Sequence, residues 1–435
     1  MFTVLQLGEH CRKKFATFRD YARNPLVMNA VALTALQAGG NLALIITLPY
    51  LARVLGPEEW GRVAWAQVLL GYLVIFTDGG FSWYGTARAA VLRDSIRNRS
   101  AQFLAGWSVQ GLLTLFAVIG LGIFHLYADI YMQFREYTGY IALYLFGMLS
   151  FPAWYPGGLE RLREVALFQF SVRVGSMPLV FIFVQDKGDG PLALGAMAAS
   201  SLLSGAAGVV WMVRNIEVDW KWPSLGAVRS EARAGAAVLM SRVWITLFTT
   251  LIPSILGFVL GPIAVGIYML ADRVRAGVVA IMSPMMQSLV PRISYYLSTD
   301  ARKAKNLFFK SCLIIVAIAG SFSMIMLMFS SEIVSALGGG QFESSGKVLK
   351  IFSIMPILAM LSAIIGLQIM IPQGYPKPYN TILVISGAVS LGTILPLILH
   401  FGVAGAAMAA VIGEIISAGL LTTYVWRRRS IIFGG

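Results

Sequence analysis

Charge is scarce in this chain. Of its 435 residues only 12% are Asp, Glu, Lys or Arg, 57% are hydrophobic, and mean hydropathy is +0.75. A soluble protein of this length needs far more polar surface, so a soluble enzyme or binding domain is excluded. Cysteine is nearly absent, with Cys11 and Cys312 alone. The two show no pairing pattern and no metal-ligand spacing, so no disulfide framework, metal or cofactor is expected. Long polar stretches are missing too. The largest, 214–234 (RNIEVDWKWPSLGAVRSEARA), is too short for an extramembrane domain. It reads as a connector with a short amphipathic segment at the membrane interface. The first ~25 residues carry Arg12, Lys13, Lys14, Arg19 and Arg23 without an apolar core or a small-residue cleavage site, so they read as a cytoplasmic tail, not a cleaved signal.

What is abundant is apolar sequence in runs of about 20 residues, the length that crosses a bilayer as helix. The runs are continuous, whereas barrel strands alternate apolar with polar, so helices are expected. We place about twelve spans: 27–51, 62–85, 103–126, 138–160, 165–185, 192–213, 235–260, 264–291, 307–330, 347–371, 381–400 and 405–426. The fold class is an all-α polytopic membrane protein. Alternate links hold the cations: Arg88, Arg93, Arg97 and Arg99; Arg161 and Arg163; Arg214, Lys221, Arg229 and Arg233; Arg292, Arg302, Lys303 and Lys305; Arg427, Arg428 and Arg429. The other links hold few, so both termini are expected in the cytoplasm. The same bias explains the net charge of +14, and no nucleic-acid partner is expected.

An internal repeat divides the chain. Residues 56–61 read GPEEWG and 261–266 read GPIAVG, each after a span with a proline (Pro49, Pro253) and each opening the next span. Ala66-Gln67 falls opposite Ala271-Asp272, and AMAA occurs at 196–199 and again at 407–410. Both echoes are offset by six spans. Six is even, so two six-helix lobes of equal orientation, related by an axis along the membrane normal, are expected around a central cavity. The division is a tail 1–26, a first lobe 27–213, the connector 214–234, a second lobe 235–426 and a tail 427–435.

Ionisable residues inside spans are the candidate site: Asp78, Arg173, Arg242, Asp272, Arg273, Arg275 and Glu414. At bilayer depth each costs ~2.5–3.5 kcal/mol or more, so it needs a partner or a wet cavity. Asp78, Arg242 and Glu414 lie ~10–13 Å from their helix ends, too deep for terminal anchors. Two roles stay open for each. Asp78, before Gly79-Gly80, either caps a broken helix or serves ion coupling or gating. Asp272 and Arg273 either pair with neighbouring helices or line the pathway. Glu414 is a proton or cation site or a structural hydrogen bond. Arg173 and Arg242 either pair with acids across the lobes or bind an anionic cargo, which a guanidinium suits in bidentate geometry. Cations outnumber acids here, which favours an anionic cargo over an organic cation. Trp65, Trp83, Tyr84, Trp107, Trp154, Tyr155 and Trp244 are either sugar-stacking surfaces or an interfacial belt. Prolines within spans (Pro152, Pro156, Pro178, Pro284, Pro356, Pro396) permit bending between states.

The ordered set LPYLARVLGPEEWGRVAWAQ (48–67), DGGF (78–81), SRVWITLFTTLIPSILGFVLGPIAVGIYMLADRV (241–274), SP (283–284), PRIS (291–294) and IPQGYPK (371–377) resembles bacterial polysaccharide flippases, the Wzx-type members of the MOP exporter superfamily. The likeness runs from about residue 27 to 426 in the right order. It implies two six-helix lobes, alternating access coupled to an ion gradient, and movement of an undecaprenyl-diphosphate-linked oligosaccharide repeat unit across the bacterial inner membrane. Asp78, Arg242, Asp272 and Glu414 match family positions. The chain departs from the pattern in having glycine after the acid of DGGF and in the Asp272-Arg273 pair. On this reading Arg173, Arg242, Arg273 and Arg275 bind the diphosphate, and Asp78, Asp272 and Glu414 take a proton or sodium ion. The partners implied are the lipid-linked oligosaccharide, the coupling ion, membrane lipids and the polysaccharide polymerase machinery. The rival from the same superfamily is a multidrug exporter of organic cations, which needs an acidic cavity. A membrane-embedded glycosyltransferase needs a long outer loop with a catalytic set. The longest outer link, 331–346, carries Glu332 and Glu343 but no such set, so no enzyme is expected.

Overall fold

The structure, a computed structural model, describes residues 25–127 and 134–428. Most of the two expected tails and the Trp244 side chain lie outside the described residues. All regular elements among the described residues are helical, as expected. In order they are α1 (Pro25–Asp78), α2 (Tyr84–Val91), α3 (Ile96–Tyr127), α4 (Arg135–Ser150), α5 (Trp154–Gly158), α6 (Leu162–Phe183), α7 (Gly190–Asn215), α8 (Leu225–Leu260), α9 (Pro262–Thr299), α10 (Ala301–Met328), α11 (Ser330–Gly338), α12 (Glu343–Phe352), α13 (Met355–Ala363), α14 (Pro376–Phe401) and α15 (Val403–Arg427). A π-helical stretch, Ile364–Met370, continues α13. Among the described residues, six helices are long and apolar enough alone to cross a membrane, or seven if the pair Gly340–Phe352 and Met355–Met370, bent by 43°, counts as one.

Local sequence sets the breaks. The span expected over 138–160 divides, because Pro152 lacks an N–H and forces Phe151 into extended backbone (φ −124°, ψ 92°). The expected link 331–346 is largely helical. Ile333, Val334 and Leu337 fall on one face of α11 and join the core, and Gly339 in the left-handed region (φ 75°) ends the helix.

The two GPxxxG motifs adopt one conformation. Gly56 (φ 71°, ψ 177°) and Gly261 (φ 80°, ψ −175°) each turn the chain where a side chain would be strained. Pro57 and Pro262 then start the next helical limb, where a missing N–H costs nothing. The motifs also dock on each other. A Cβ on Gly61 would lie 1.8 Å from the Pro262 carbonyl oxygen, and one on Gly266 would lie 2.0 Å from that of Pro57. The contact is reciprocal, so the repeat read in sequence is a two-fold contact in space. Around it, Arg53 donates from Nη2 to the Ala336 carbonyl, and a Cβ on Gly56 would lie 2.9 Å from Gln341 Oε1.

The second limb of α1 then runs antiparallel along α8. Trp65 meets Gly257, the Tyr72 hydroxyl lies 3.4 Å from Ser254 Oγ, Asp78 pairs with Arg242, and Gly79-Gly80 packs on Gly235. This seam joins the first half of the chain to the second. The core follows the same plan. One cluster, around Trp60, Val63, Val265 and Leu349, spans both halves. A second, around Met282, Ile364 and Leu421, fills the second half. A third, around Phe81, Phe103, Trp154 and Met212, fills the Asp78 end of the first half.

Candidate functional site

A cavity of about 590 Å³ opens inside the first half. Its walls are both limbs of α1 with α4, α6 and α7. Tyr144, Gly147 and Phe151 come from α4 and the residue after it; Gln169, Val172, Arg173, Ser176 and Val180 from α6; Ala193, Ala196, Met197, Ser200, Ser201 and Ser204 from α7. These recur at three- and four-residue spacing, so each helix shows one small or polar face to the hollow. From α1 come Thr47, Leu48, Trp60, Gln67 and Val74, among others. The second half contributes Arg273.

Two charged residues line this cavity, Arg173 and Arg273, and both are cationic. Arg273 Nη2 donates to Gln67 Oε1 at 2.9 Å, and the Gln67 amide nitrogen faces Met197 Sδ at 3.5 Å. Arg273 Nε is buried with no hydrogen-bond partner among the described residues. The acid beside it in sequence does not neutralise it directly, because Asp272 Oδ1 accepts from Arg275 at 2.7 Å (Nη2) and 2.8 Å (Nε). Arg173 forms no ion pair among the described residues and lies close enough to Tyr144 to interact electrostatically. A guanidinium stays charged at any physiological pH, and the protein interior screens it weakly. The site is therefore a pocket among apolar helices with a fixed positive field and spare N–H donors.

The other charged candidates lie elsewhere. Arg242 Nη1 pairs with Asp78 Oδ2 at 2.5 Å, with the two side chains 24% and 11% exposed. The Trp83 ring lies 5.7 Å from this guanidinium. Asp78 also accepts from the Ser82 N–H at 3.2 Å and from the Ser82 hydroxyl, and its carbonyl accepts from Gln110 Nε2 at 3.2 Å. It thus ties the broken turn at Gly79-Gly80, the capping role read in the sequence, and takes an arginine across the seam at once. Arg275 and Asp272 pair along α9, with Arg275 5.9 Å from the Phe352 ring. Glu414 of α15 lies in electrostatic reach of Arg275 and of Tyr379.

The cavity lies within the first half, with one second-half side chain, Arg273, on its lining. The four arginines do not converge on it: Arg173 and Arg273 reach the cavity, whereas Arg242 and Arg275 are held by acids outside its lining. Of the aromatic residues singled out in sequence, Trp65, Trp83, Tyr84, Trp107, Trp154 and Tyr155 do not line it. Trp154 is buried and donates to Gln110 Oε1 at 3.0 Å, while Trp65 packs on Phe134. Trp60, Tyr144 and Phe151 line the hollow in their place. Gln67 was visible only as the repeat partner of Asp272. The lining face of α6, with Gln169, Ser176 and Val180, was findable from the phase that Arg173 sets; the faces of α4 and α7 were not.

Comparison with known proteins agrees with this architecture. The chain is 30% identical over 404 residues to a protein of Escherichia coli (strain K12) named "Putative O-antigen transporter", covering 93% of this chain and 97% of that one. Its fold is similar to a multidrug resistance MATE family transporter of the MOP superfamily in an inward-facing conformation, with TM-score 0.72 at 14% identity, covering 91% of this chain and 95% of that one. It is also similar to lipid II flippase MurJ in an inward closed conformation, with TM-score 0.66 at 12% identity, covering 92% of this chain and 87% of that one. The family described as "Polysaccharide biosynthesis protein" matches residues 26–297. A multi-pass helical chain with that match and that relative belongs to the polysaccharide biosynthesis protein family.

Proposed function

We propose that this protein flips a lipid-linked oligosaccharide repeat unit, joined to undecaprenol through a diphosphate, from the inner to the outer leaflet of a bacterial inner membrane. One observation carries the reading: the charged lining of the membrane-embedded cavity is two arginines, one from each half. The diphosphate sits between Arg173 and Arg273, as charge-assisted hydrogen bonds to guanidinium are the strongest the chain can offer there. The first sugars lie against Trp60, Tyr144, Gln67, Gln169 and the serines of α7. The polyprenyl tail stays in lipid. An exporter of organic cations needs an acid in the cavity, and none lines this one.

The chain crosses the membrane twelve times in two six-helix lobes, with both termini cytoplasmic on the bias of Lys and Arg among the links. The docked GPxxxG motifs then form the closed outer end. A proton or sodium gradient drives return, and the delivered repeat unit goes to a polymerase outside. The Asp272–Arg275–Glu414 group, away from the cargo, serves ion coupling on this reading.

The test is flipping of a fluorescent undecaprenyl-diphosphate glycan in proteoliposomes. Arg273→Ala and Arg173→Ala each lower the rate at least tenfold, and the double variant abolishes it. Wild-type rates in the double variant would end the proposal.

A further inference from the structure

The Asp78 end of the seam holds an acid outside all the sites above. Glu231, Gly235, Leu239 and Arg242 recur at helical spacing and share one face of α8. That face meets the broken turn after α1: Arg242 pairs with Asp78, and a Cβ on Gly235 would lie 2.5 Å from the Gly79 carbonyl oxygen. Glu231 continues the face toward the end of the helix. It is 9% exposed, and its Oε2 is buried without a hydrogen-bond partner. Opposite, on α3, Gln102 is 5% exposed, and neither its amide nitrogen nor its oxygen has a partner. The Tyr84 hydroxyl of α2 faces the same carboxyl, and Arg88 is the cation in electrostatic reach. No arginine or lysine forms an ion pair with Glu231 among the described residues.

A carboxylate so placed is desolvated and has no ion-pair partner among the described residues. A protonated carboxyl is neutral and gains a donor, and Gln102 beside it offers an unused acceptor. We propose that Glu231, with Tyr84 and Gln102, is a proton-binding site at the cytoplasmic end of the seam, and that its proton keeps this end closed. Burial pushes the Glu231 carboxyl above the usual carboxylate range, while Tyr84, Arg88 and Gln102 pull it back. The sign follows from linkage. Once the seam opens, Glu231 meets water and returns to its ordinary value, so the closed form holds the proton more tightly. Closure is favoured at low pH and weakens as pH climbs from the ordinary carboxylate range through the raised value. The inner compartment thus reads out on the seam that Asp78 and Arg242 bridge. What the proton does for transport rests on the flippase reading; its binding does not.

The experiment therefore omits the lipid-linked substrate. Full-length protein in nanodiscs is titrated by infrared difference spectroscopy of the protonated-carboxyl stretch. Wild type shows a band titrating above the ordinary carboxylate range. Glu231→Gln removes it, and Tyr84→Phe moves its midpoint upward by deleting a bond to the anion. In parallel, spin labels at Arg97→Cys and Arg229→Cys, with Cys11 and Cys312 replaced by serine, report the distance across the seam. Wild type separates as pH rises, and Glu231→Gln stays closed at every pH. A Glu231→Gln titration that superimposes on wild type overturns the proposal, as does an unchanged pH response of the label distance. If Glu231→Gln fails to fold, a Tyr84→Phe midpoint that stays or falls overturns it alone.

Discussion

The two ends of the seam are shut by opposite means. At the Gly56 and Gly261 end, closure is backbone against backbone, with Gly61 and Gly266 each pressed on the other motif's proline carbonyl. At the Asp78 end, closure adds an ion pair, a largely buried guanidinium against Trp83 and a buried acid to a second glycine contact. The first end is governed by shape and tolerates no added atom. The second is governed by charge, and its strength varies with protonation and solvation. A transporter that alternates needs its two closures to respond to different things, and these do.

That contrast breaks most sharply at the glycines. Gly61→Ala places a methyl 1.8 Å from a carbonyl oxygen, where no rotamer relieves it. We expect a loss of about 3 kcal/mol, the upper end for overpacking. Gly266→Ala does the same, and the double variant costs less than the sum because both remove one contact. Thermal unfolding in nanodiscs measures all three.

The charged end gives a smaller and more divisible effect. Arg242→Ala leaves a mostly buried Asp78 unpaired and costs about 2 kcal/mol, below the range for a fully buried pair. Asp78→Asn costs less, since the amide still bonds Ser82. A double-mutant cycle between the two sites returns a coupling of about 1 kcal/mol or more; zero coupling means the pair does not hold the seam.

Between the ends, the cavity should separate stability from transport. Gln67→Ala frees the Arg273 side chain without removing its charge. Flipping falls several-fold, less than in Arg273→Ala, while the unfolding temperature moves little. A rate in Gln67→Ala equal to wild type would show that Arg273 needs no positioning. The smallest effect belongs to Gly277→Ala, where an added methyl meets nothing within 4 Å. It changes stability by no more than about 1 kcal/mol, and upward, from helix propensity. It is the control for the glycine variants.

Much of this was legible in the sequence, for reasons that particular residues make plain. GPEEWG and GPIAVG demand a positive-φ glycine and a helix start, and that demand does not depend on neighbours. The repeat, the helical class and the break at Gly79-Gly80 follow from such local needs. The partners of the charges do not. Arg173 and Arg242 read alike as deep arginines, yet one lines the cavity and the other meets Asp78, because helix rotation and the packing of α8 on α1 decide it. The cavity's location depends on how α1, α4, α6 and α7 rotate and pack, which no local pattern encodes. Glu231 stood within a stretch read as a surface connector, and only the fold buries it against Gln102.

Arg173 and Arg273 belong to different halves of the chain and line one cavity. Any rocking of one half against the other therefore changes the spacing of the two guanidinium groups. A head group held by both would be let go by the same swing that exposes it to the far side, with no separate release step required.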